Sequence, residues 1–474
     1  MMGSGLILKY FFKFLKLKKI FYNRDIQFKS VKIKKFFKKK SIILFATTFS
    51  GIFFNNFADA TVLNNGYKEV IDHVWQIVYR DFLDSSGKFD KSNWIELRKE
   101  FLSRKYSNSN QAYDAIRDML LNLEDPYTRF LDPKEFNQMR IDTSGELTGV
   151  GIQITKDKES DFLLIVSPIE GTPAYDAGIK AEDKILSIDD ISTKGMNIED
   201  AVKLIRGQRG TEVKLEILRG SKSFFKVLLR EKIELKSVIS KVNQTKNGYL
   251  IGYIRIKQFN ANASKETRNA IEDLETKKVL GYVLDLRGNP GGLLESSIDI
   301  SRHFINSGII VSTLSKDGLQ EISRGNGQAL TNKPLVVLVD EGSASASEIV
   351  SGAIKDNKRG KLVGKKTFGK GLVQSMRTLV DGSGLTVTVA KYLTPNGTDI
   401  NKSGIVPDID VKMNINPILP NEIGTRRDNQ YRVAEKELIN LIKRNNEISQ
   451  FDPSNQNLDA FLISNKEKMV FSLD

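Results

Sequence analysis

The spacing of apolar residues near the start of the folded chain predicts helices. Between residues 66 and 140 apolar positions recur every three to four residues, most clearly in Tyr67–Phe82 and Ala112–Leu123. The turn-forming run Asp125–Thr128 predicts a break after the second of these helices. We therefore expect a helical N-terminal region over residues 61–144.

From residue 145 to residue 231 the pattern changes to short β-type runs. They are Gly151–Thr155, Phe162–Val166, Lys184–Ile188 and Val213–Leu218, with one amphipathic helix at Ile198–Ile205. Short strands with a single helix predict a small β-rich domain, inserted before the next region.

Residues 232–411 alternate strongly apolar strands with helices. Val279–Leu286 precedes a helix from Leu293, and Leu335–Val339 precedes a helix from Ala344. Continuously apolar strands are typical of a sheet buried on both faces, so this region predicts an α/β core.

Two further features follow in the chain. A β-hairpin is predicted at Leu372–Val380 and Leu385–Tyr392, and residues 412–474 read as a polar extension that is helical around Val433–Ile442. The predicted fold class is α/β and multidomain: a helical N-terminal region, a β-rich insertion and an α/β core with a hairpin.

The net charge of +14 lies almost wholly in the first 40 residues. They hold 13 Lys and Arg against one acid, Asp25, a net +12 that leaves +2 for the remaining residues. The basic composition therefore does not predict a nucleic-acid-binding surface on the folded part.

A leader over residues 1–60 is predicted after this basic segment. Ser41–Phe54 is an uncharged apolar run of 14 residues, and Phe57–Ala60 carries small residues at the positions of a signal-peptide cleavage site. Cleavage after Ala60 and export are expected, with a true start downstream of Met1 as a further option. The alternative is an uncleaved anchor, although a spanning helix needs about 20 apolar residues.

Cysteine and histidine usage excludes several chemistries. The chain has no cysteine, so thiol nucleophiles and thiolate metal sites are excluded, and its two histidines are His73 and His303. We expect no metal and no cofactor. A histidine-dependent hydrolase would have to use one of these two residues.

A serine-rich junction is the first candidate for catalysis. The strand Leu335–Val339 runs into Asp340–Glu348, where small residues join a buried strand to a helix. Such a junction presents a hydroxyl and free backbone N–H groups at a helix N-terminus, which suits an oxyanion site. Taken alone, the run is more often a serine-rich helix cap.

The second candidate is the lysine-rich segment Gly364–Gln374. Its glycines and lysine partly imitate a phosphate-binding loop, but Gly371 stands where that loop needs Ser or Thr, so we expect no nucleotide. Lys370, flanked by glycines, could be packed into a dry niche; otherwise it is a solvated surface lysine. Lowering a lysine pKa from about 10.4 to near 7 requires roughly 4–5 kcal/mol of destabilisation of the ammonium.

Three stretches resemble the C-terminal processing, or tail-specific, serine peptidases: Val339–Asn357, Val363–Gln374 and Asp381–Pro407. The resemblance covers most of residues 67–411. It implies the following roles: Ser345 nucleophile, Lys370 general base, Gln374 orienting the lysine, and the backbone N–H groups of Ala346 and Gly291, or its neighbour Gly292, as the oxyanion hole.

The β-rich insertion resembles a PDZ domain. The resemblance rests on Gly149, Val150, Gly151 and Ile152, on Pro173–Gly178 and on Arg206–Val213. It implies that residues 149–152 bind an extended peptide tail beside Ile152. Arg206 is carried over, less firmly, as part of a substrate-sensing segment.

The resemblance implies an endopeptidase that cuts exported proteins near their C-termini. Expected partners are proteins with accessible C-terminal tails, with membrane proximity through the substrate or an uncleaved leader. The motifs are most similar to the photosynthetic branch, which acts in the thylakoid lumen on a photosystem II reaction-centre protein. A periplasmic quality-control protease, a non-catalytic tail-binding protein and a hydrolase using His303 are the alternatives.

Overall fold

This computed structural model describes residues 66–414 and 419–450. The predicted leader, its cleavage site after Ala60 and the alternative anchor lie outside the described residues. Within the described ranges no helix is both long enough and apolar enough to span a bilayer.

The N-terminal region is helical and shares its core with a strand from much later in the chain. Its helices are α1 (Gly66–Asp81), α2 (Lys91–Ser103), α3 (Ser109–Leu121) and α4 (Pro133–Ser144). The first three pack around the buried Trp94 together with Leu385 and Val387. The two helices predicted individually, near 67–82 and 112–123, correspond to α1 and α3.

The β-rich insertion is an antiparallel sheet closed by two short helices. Its strands are β3 (Ile152–Lys156), β4 (Leu163–Pro168), β5 (Lys184–Ile188), β6 (Ile191–Ser192), β7 (Glu212–Arg219) and β8 (Lys222–Leu229), and its helices are α5 (Pro173–Asp176) and α6 (Ile198–Ile205). The sheet order is β3-β4-β5-β7-β8, with β6 beside β5. Residues of α6 such as Ala201 and Ile205 fill the core beneath it.

A two-stranded antiparallel ribbon joins this insertion to the rest of the chain. It consists of β2 (Glu146–Gly149) and β9 (Glu231–Glu234), with Gly149 opposite Glu231. The chain therefore enters and leaves the insertion at one place.

The core sheet is covered by helices on both faces. Its strands, in spatial order, are β10 (Val238–Gln244), β11 (Leu250–Ile256), β12 (Tyr282–Asp285), β15 (Leu335–Val339), β16 (Lys361–Gly364) and β19 (Ile409–Asp410), all parallel except β10. The helices are α7 (Ala263–Thr276), α8 (Leu294–Phe304), α9 (Ala346–Asp356) and α10 (Asn429–Gln450).

Alternate residues of β15 enter two different hydrophobic cores. Leu335, Val337 and Val339 pack with α7, α8 and α9, whereas Val336 and Leu338 pack with α10. This double burial is the physical reason that Leu335–Val339 contains no polar residue. The terminal helix that covers the second face is longer than the predicted 433–442 segment.

A second sheet contains the predicted hairpin. It comprises β1 (Arg129–Leu131), β13 (Ile309–Ser315), β14 (Gln320–Arg324), β17 (Leu372–Thr378) and β18 (Gly384–Leu393). β17 and β18 pair antiparallel, while the other edge of β18 receives β1 at its start and β13 at its end. The segment after the predicted helix break, β1, is thereby attached to the hairpin.

Candidate active site

The serine-rich junction contains two buried serines and one that faces a cavity. Ser343 Oγ donates to the Leu286 carbonyl and Ser347 Oγ to the Asn289 carbonyl, each at 2.8 Å, and both side chains are fully buried. Ser345 is half-buried and lines a cavity of about 1630 Å³. The outer serines thus hold the junction against the loop of residues 286–292, and the middle serine is the one available to a substrate.

The backbone of Ser345 is strained. Its φ of +54° and ψ of −113° lie outside the regions that a non-glycine residue readily adopts. This turn is why α9 begins at Ala346 rather than at the predicted Ala344. As the first residue of the helix, Ala346 has an N–H with no hydrogen-bond partner among the described residues.

The buried side chain of Glu348 connects the turn at Ser345 to the segment Gly364–Gln374, called here the lysine loop. Glu348 Oε1 accepts hydrogen bonds from Thr367 Oγ1 at 2.6 Å and from the Gly369 N–H at 2.7 Å. Its Oε2 accepts from the N–H groups of Ser345 and Lys370, each at 2.9 Å. Four donors therefore satisfy both oxygens of this side chain inside the protein.

The same contacts explain why the lysine loop is not a phosphate site. In a phosphate-binding loop the backbone N–H groups point at the ligand, but here those of Gly369 and Lys370 are already bound by Glu348. The described residues also include no group of three or more histidine and acidic side chains placed to hold a metal ion.

Lys370 lies in the same cavity as Ser345 with a lowered pKa. Burial is the main cause of the lower pKa, and the positive charge of Arg129 adds to it. The ammonium nitrogen sits 4.7 Å from the ring centroid of Tyr127. Within the described part of the chain, Nζ forms no hydrogen bond with Ser345 Oγ, so the two groups share a cavity without direct contact.

Gln374 contacts a threonine rather than the lysine. It follows a β-bulge in β17, and its Nε2 lies 3.4 Å from Thr388 Oγ1. Thr388 Oγ1 donates in turn to Asp125 Oδ2 at 2.6 Å. The orienting contact from Gln374 to Lys370 that the resemblance implies is therefore not formed in this arrangement.

The glycine loop of residues 286–292 approaches Ser345 closely. Gly291 has φ +104°, and a Cβ built on it would lie 2.8 Å from Ser345 Cβ. Its N–H donates to Asn289 Oδ1 at 2.9 Å, so it is already satisfied. Gly292 also lines the cavity, and its N–H has no partner among the described residues. This arrangement favours Gly292 over Gly291 as the second oxyanion donor.

The PDZ-type residues fall into two groups. Gly149, Val150, Gly151 and Ile152 form the β2–β3 junction and do not line the cavity, whereas Arg206 does. Val150 is buried in the domain core, and a Cβ on Gly151 would collide with Thr172 Oγ1 at 2.2 Å. β3, which begins at Ile152, is an edge strand of its sheet. An edge strand can pair with an added peptide.

One side of α6 faces the cavity. Ile198, Val202 and Arg206 recur every four residues and line its wall, while Ala201 and Ile205 on the other side are buried in their own domain. The cavity therefore extends from Ser345 to the inserted domain.

His303 lies outside the cavity. It is buried on α8, its Nε2 contacts the Ser264 carbonyl at 3.0 Å, and burial lowers its pKa. A histidine that donates to a carbonyl in the core has a structural explanation, and the geometry does not favour the alternative hydrolase.

Sequence reasoning missed Glu348, Asp125, Tyr127 and Thr388. The Ser345-x-x-Glu348 spacing is that of a capping box, which could have pointed to the glutamate. Asp125 and Tyr127 were interpreted only as part of a helix-breaking turn. Nothing in the sequence alone connects that turn to residues near 370.

Comparisons with known proteins match two separate parts of the chain. The profile of Peptidase family S41 matches residues 250–411, and a PDZ domain profile matches residues 164–219. The chain is 44% identical over 363 residues to a carboxyl-terminal-processing protease of Synechocystis sp., covering 76% of this chain and 84% of the relative.

Two other relatives are similar over comparable lengths. Carboxyl-terminal-processing peptidase 2, chloroplastic, of Arabidopsis thaliana is 40% identical, with 70% of this chain and 67% of the relative covered. A solved structure of a photosystem II D1 C-terminal processing protease is 36% identical, with 73% and 93% covered and a TM-score of 0.48.

Proposed function

Because the chain belongs to the carboxyl-terminal-processing proteases of peptidase family S41, we propose that Ser345 and Lys370 perform its peptide hydrolysis. The chain is a serine peptidase with a PDZ domain. The observation that carries the proposed pair is that a half-buried serine and a lysine of lowered pKa line one cavity, with their backbones joined by Glu348.

The reaction begins with neutral Lys370. Nζ swings from the Tyr127 ring to Ser345 Oγ and removes its proton as Oγ attacks the scissile carbonyl. The oxyanion is received by the N–H groups of Ala346 and Gly292. The Lys370 ammonium then gives its proton to the leaving amine. A water molecule, deprotonated by neutral Lys370, then attacks the acyl-enzyme. The Lys370 ammonium returns its proton to Ser345 Oγ as the acyl group leaves, which restores the Ser345 hydroxyl.

The substrate proposed is the C-terminal tail of an exported protein. An extended tail can pair with the edge strand β3, and the cavity wall formed by Ile198, Val202 and Arg206 leads from the inserted domain toward Ser345. A cavity that extends from the inserted domain to Ser345 supports cleavage near the end of a chain rather than at random.

The natural substrate proposed is a photosystem II reaction-centre protein with a C-terminal extension, and the place of action is the thylakoid lumen or periplasm. Support comes from the cyanobacterial and chloroplastic relatives and from the relative named for D1 processing. Broad degradation of exported proteins from their C-terminal tails would use the same residues. The cleavage products must therefore distinguish processing of one substrate from general degradation.

The test uses the full chain without its predicted leader. It is incubated with a peptide carrying the D1 C-terminal extension and with an unrelated peptide of apolar C-terminus, and fragments are identified by mass spectrometry. A single cut that occurs in the first peptide and not in the second supports processing. Several cuts in both peptides identify tail degradation. Ser345→Ala and Lys370→Ala should each abolish cleavage while the thermal unfolding midpoint is retained. Cleavage by Lys370→Ala would remove the proposed base.

A further inference from the structure

We propose that Tyr127, in the helical N-terminal region, is a positioning residue for Lys370, and that its turn also holds Gln374 through Asp125 and Thr388. This inference rests on the proposed role of Lys370 as the base. It makes the segment Asp125–Arg129 part of the catalytic site, although it lies more than 200 residues from Lys370 in the chain.

The turn is held firmly against β18. Asp125 Oδ2 accepts from Thr128 Oγ1 and from Thr388 Oγ1, each at 2.6 Å. Thr128 Oγ1 accepts from the Thr388 N–H at 3.1 Å, and Thr386 Oγ1 donates to the Tyr127 carbonyl at 2.9 Å. These bonds hold the backbone of the turn against β18, and they fix the point from which the Tyr127 side chain extends toward Lys370.

Thr388 connects this turn to Gln374. It pairs directly with Gln374 across the β17–β18 hairpin, and its Oγ1 lies between Asp125 Oδ2 and Gln374 Nε2. Since the Asp125 carboxylate can only accept, the Thr388 hydroxyl donates to it and has its lone pairs free for the Gln374 amide. Gln374 therefore donates to Thr388, and Thr388 donates to Asp125 in the N-terminal region.

The ring of Tyr127 receives the cationic form of Lys370. Nζ lies 4.7 Å from the ring centroid, inside the range over which an aromatic face attracts an ammonium. Burial raises the pKa of Tyr127, so its hydroxyl stays neutral near pH 7. During turnover Lys370 acquires a proton from Ser345, and the ring stabilises the ammonium until the leaving amine takes that proton.

Several charged groups face Lys370 besides the ring. Burial is the largest influence on the pKa of Lys370 and lowers it. The charge of Arg129 on β1 also lowers this pKa, whereas the charges of Asp125 and Glu348 raise it. Tyr392 acts on the backbone only, through its hydroxyl and the Lys370 carbonyl. The residues Tyr127 and Arg129 of one turn thus act in opposite directions on the same amine.

The decisive experiment compares Tyr127→Leu with Tyr127→Phe in the pH profile of kcat/KM on a cleaved peptide. Tyr127→Phe keeps the aromatic face, so its acid limb should coincide with the wild type. Tyr127→Leu removes the attraction for the ammonium and should move the acid limb to lower pH by up to about one unit. We also expect a fall in kcat on the order of tenfold. A Leu profile that superimposes on the wild type, or a Phe variant shifted as far as Leu, overturns the proposal.

Two further variants separate positioning from stability. Tyr106→Leu removes a half-buried tyrosine of the same region whose hydroxyl bonds the Phe101 carbonyl, and Tyr106 does not line the cavity. It should lower the unfolding midpoint without moving the acid limb. If Tyr127→Leu does not fold, Arg129→Gln at an exposed position serves instead and should move the acid limb to higher pH. No movement in Arg129→Gln would contradict control of Lys370 by this turn.

Failure of this inference is distinguishable from failure of the proposed mechanism. An inactive Lys370→Ala enzyme combined with an unshifted Tyr127→Leu profile rejects only the role of the turn. An active Lys370→Ala enzyme rejects the base itself.

Discussion

Ser345 and Lys370 donate their backbone N–H groups to the same oxygen, Oε2 of Glu348, at equal distances of 2.9 Å. The two chain segments that carry the proposed nucleophile and base are therefore both tied to one buried side chain. In the proposed mechanism the Lys370 side chain moves from the Tyr127 ring to Ser345 Oγ, and neither backbone segment has to shift.

Replacing Glu348 with Gln should disrupt this arrangement. An amide offers one acceptor oxygen in place of two, and its NH2 group would face N–H donors, so buried donors lose their partners at a cost of roughly 1–3 kcal/mol each. We expect a loss of kcat on the order of 100-fold and a lower urea midpoint. The exposed Glu341→Gln in the same loop is the matched control and should change neither quantity. Wild-type kcat in Glu348→Gln would show that the connection is dispensable.

The pH dependence of activity follows from the lowered pKa of Lys370. The base acts as a neutral amine, so kcat/KM should rise with pH through a pKa that lies below the ordinary value of about 10.4. A profile of kcat/KM from pH 5 to 10 measures it. An acid limb at the pKa of an unperturbed lysine would contradict the buried position.

The same shift has a consequence for stability. Because the folded-state pKa of Lys370 is depressed, the folded protein binds fewer protons than the unfolded chain between the two pKa values, and stability rises with pH across that window. Below the window the folded state bears the full burial penalty of the ammonium. Lys370→Met should therefore raise the urea midpoint at pH 7. A lower midpoint would mean that the lysine contributes net stability.

The C-terminal segment supports the glycine loop through Arg287 and Asp428. Arg287 is 5% exposed and bonds both Asp285 and the fully buried Asp428, and it begins the loop that leads to Gly291. Burial would raise the pKa of Asp428, but the Arg287 guanidinium and the N–H groups of Gly424 and Tyr431 together outweigh it, and the pKa is lowered. This contribution to stability is present above the ordinary Asp pKa of about 3.9 and is lost as pH falls through the lower folded value.

Asp428→Ala should thus be strongly destabilising, by about 3–5 kcal/mol, because it leaves the Arg287 cation without one of its buried partners. Urea unfolding at pH 7 measures the change, and kcat should fall as the glycine loop loosens. Glu422→Ala in the same segment removes an ion pair with Arg427, whose side chain is largely exposed, and should change stability by less than about 1 kcal/mol. Equal effects of the two substitutions would refute the special role of the buried pair.

Gly291 should tolerate no side chain. In Gly291→Ala the added Cβ would lie 2.7 Å from the Ala344 carbonyl oxygen and 2.8 Å from Ser345 Cβ, at a φ of +104°. We expect kcat to drop at least 100-fold, measured on the cleaved peptide. Gly288→Ala is the control in the same loop, since its φ of +65° is strained but no atom lies within 4 Å of the new Cβ. It should cost about 1–2 kcal/mol of stability and leave most activity. Similar kcat values for both variants would exclude the steric explanation.

Hydrophobic pattern predicted elements best where burial is simple. β5, α6 and β15 have the predicted bounds because each has a well-defined buried set and is flanked by polar or turn-forming residues. β8 was not predicted, since Phe224 is half-buried while Phe225, Val227 and Leu229 are exposed and apolar, which removes the alternation. α4 was not predicted individually because Phe136 is its one buried residue.

The site was predictable in its residues but not in its contacts. The resemblance named Ser345, Lys370 and Gln374, and all three line one cavity. That Lys370 rests over Tyr127, and that Thr388 bonds Asp125, depends on the way in which β1 joins the hairpin, a pairing between strands more than 250 residues apart. No local pattern encodes such a pairing.

The β2–β9 ribbon also has a topological meaning. Because Gly149 and Glu231 are cross-strand partners, a short tight turn could join them directly and close the backbone after removal of everything between. The PDZ domain is thus inserted into the peptidase at a single place, so we expect that exchanging it for another recognition domain would change which proteins are bound and leave the path of the peptidase chain unaltered.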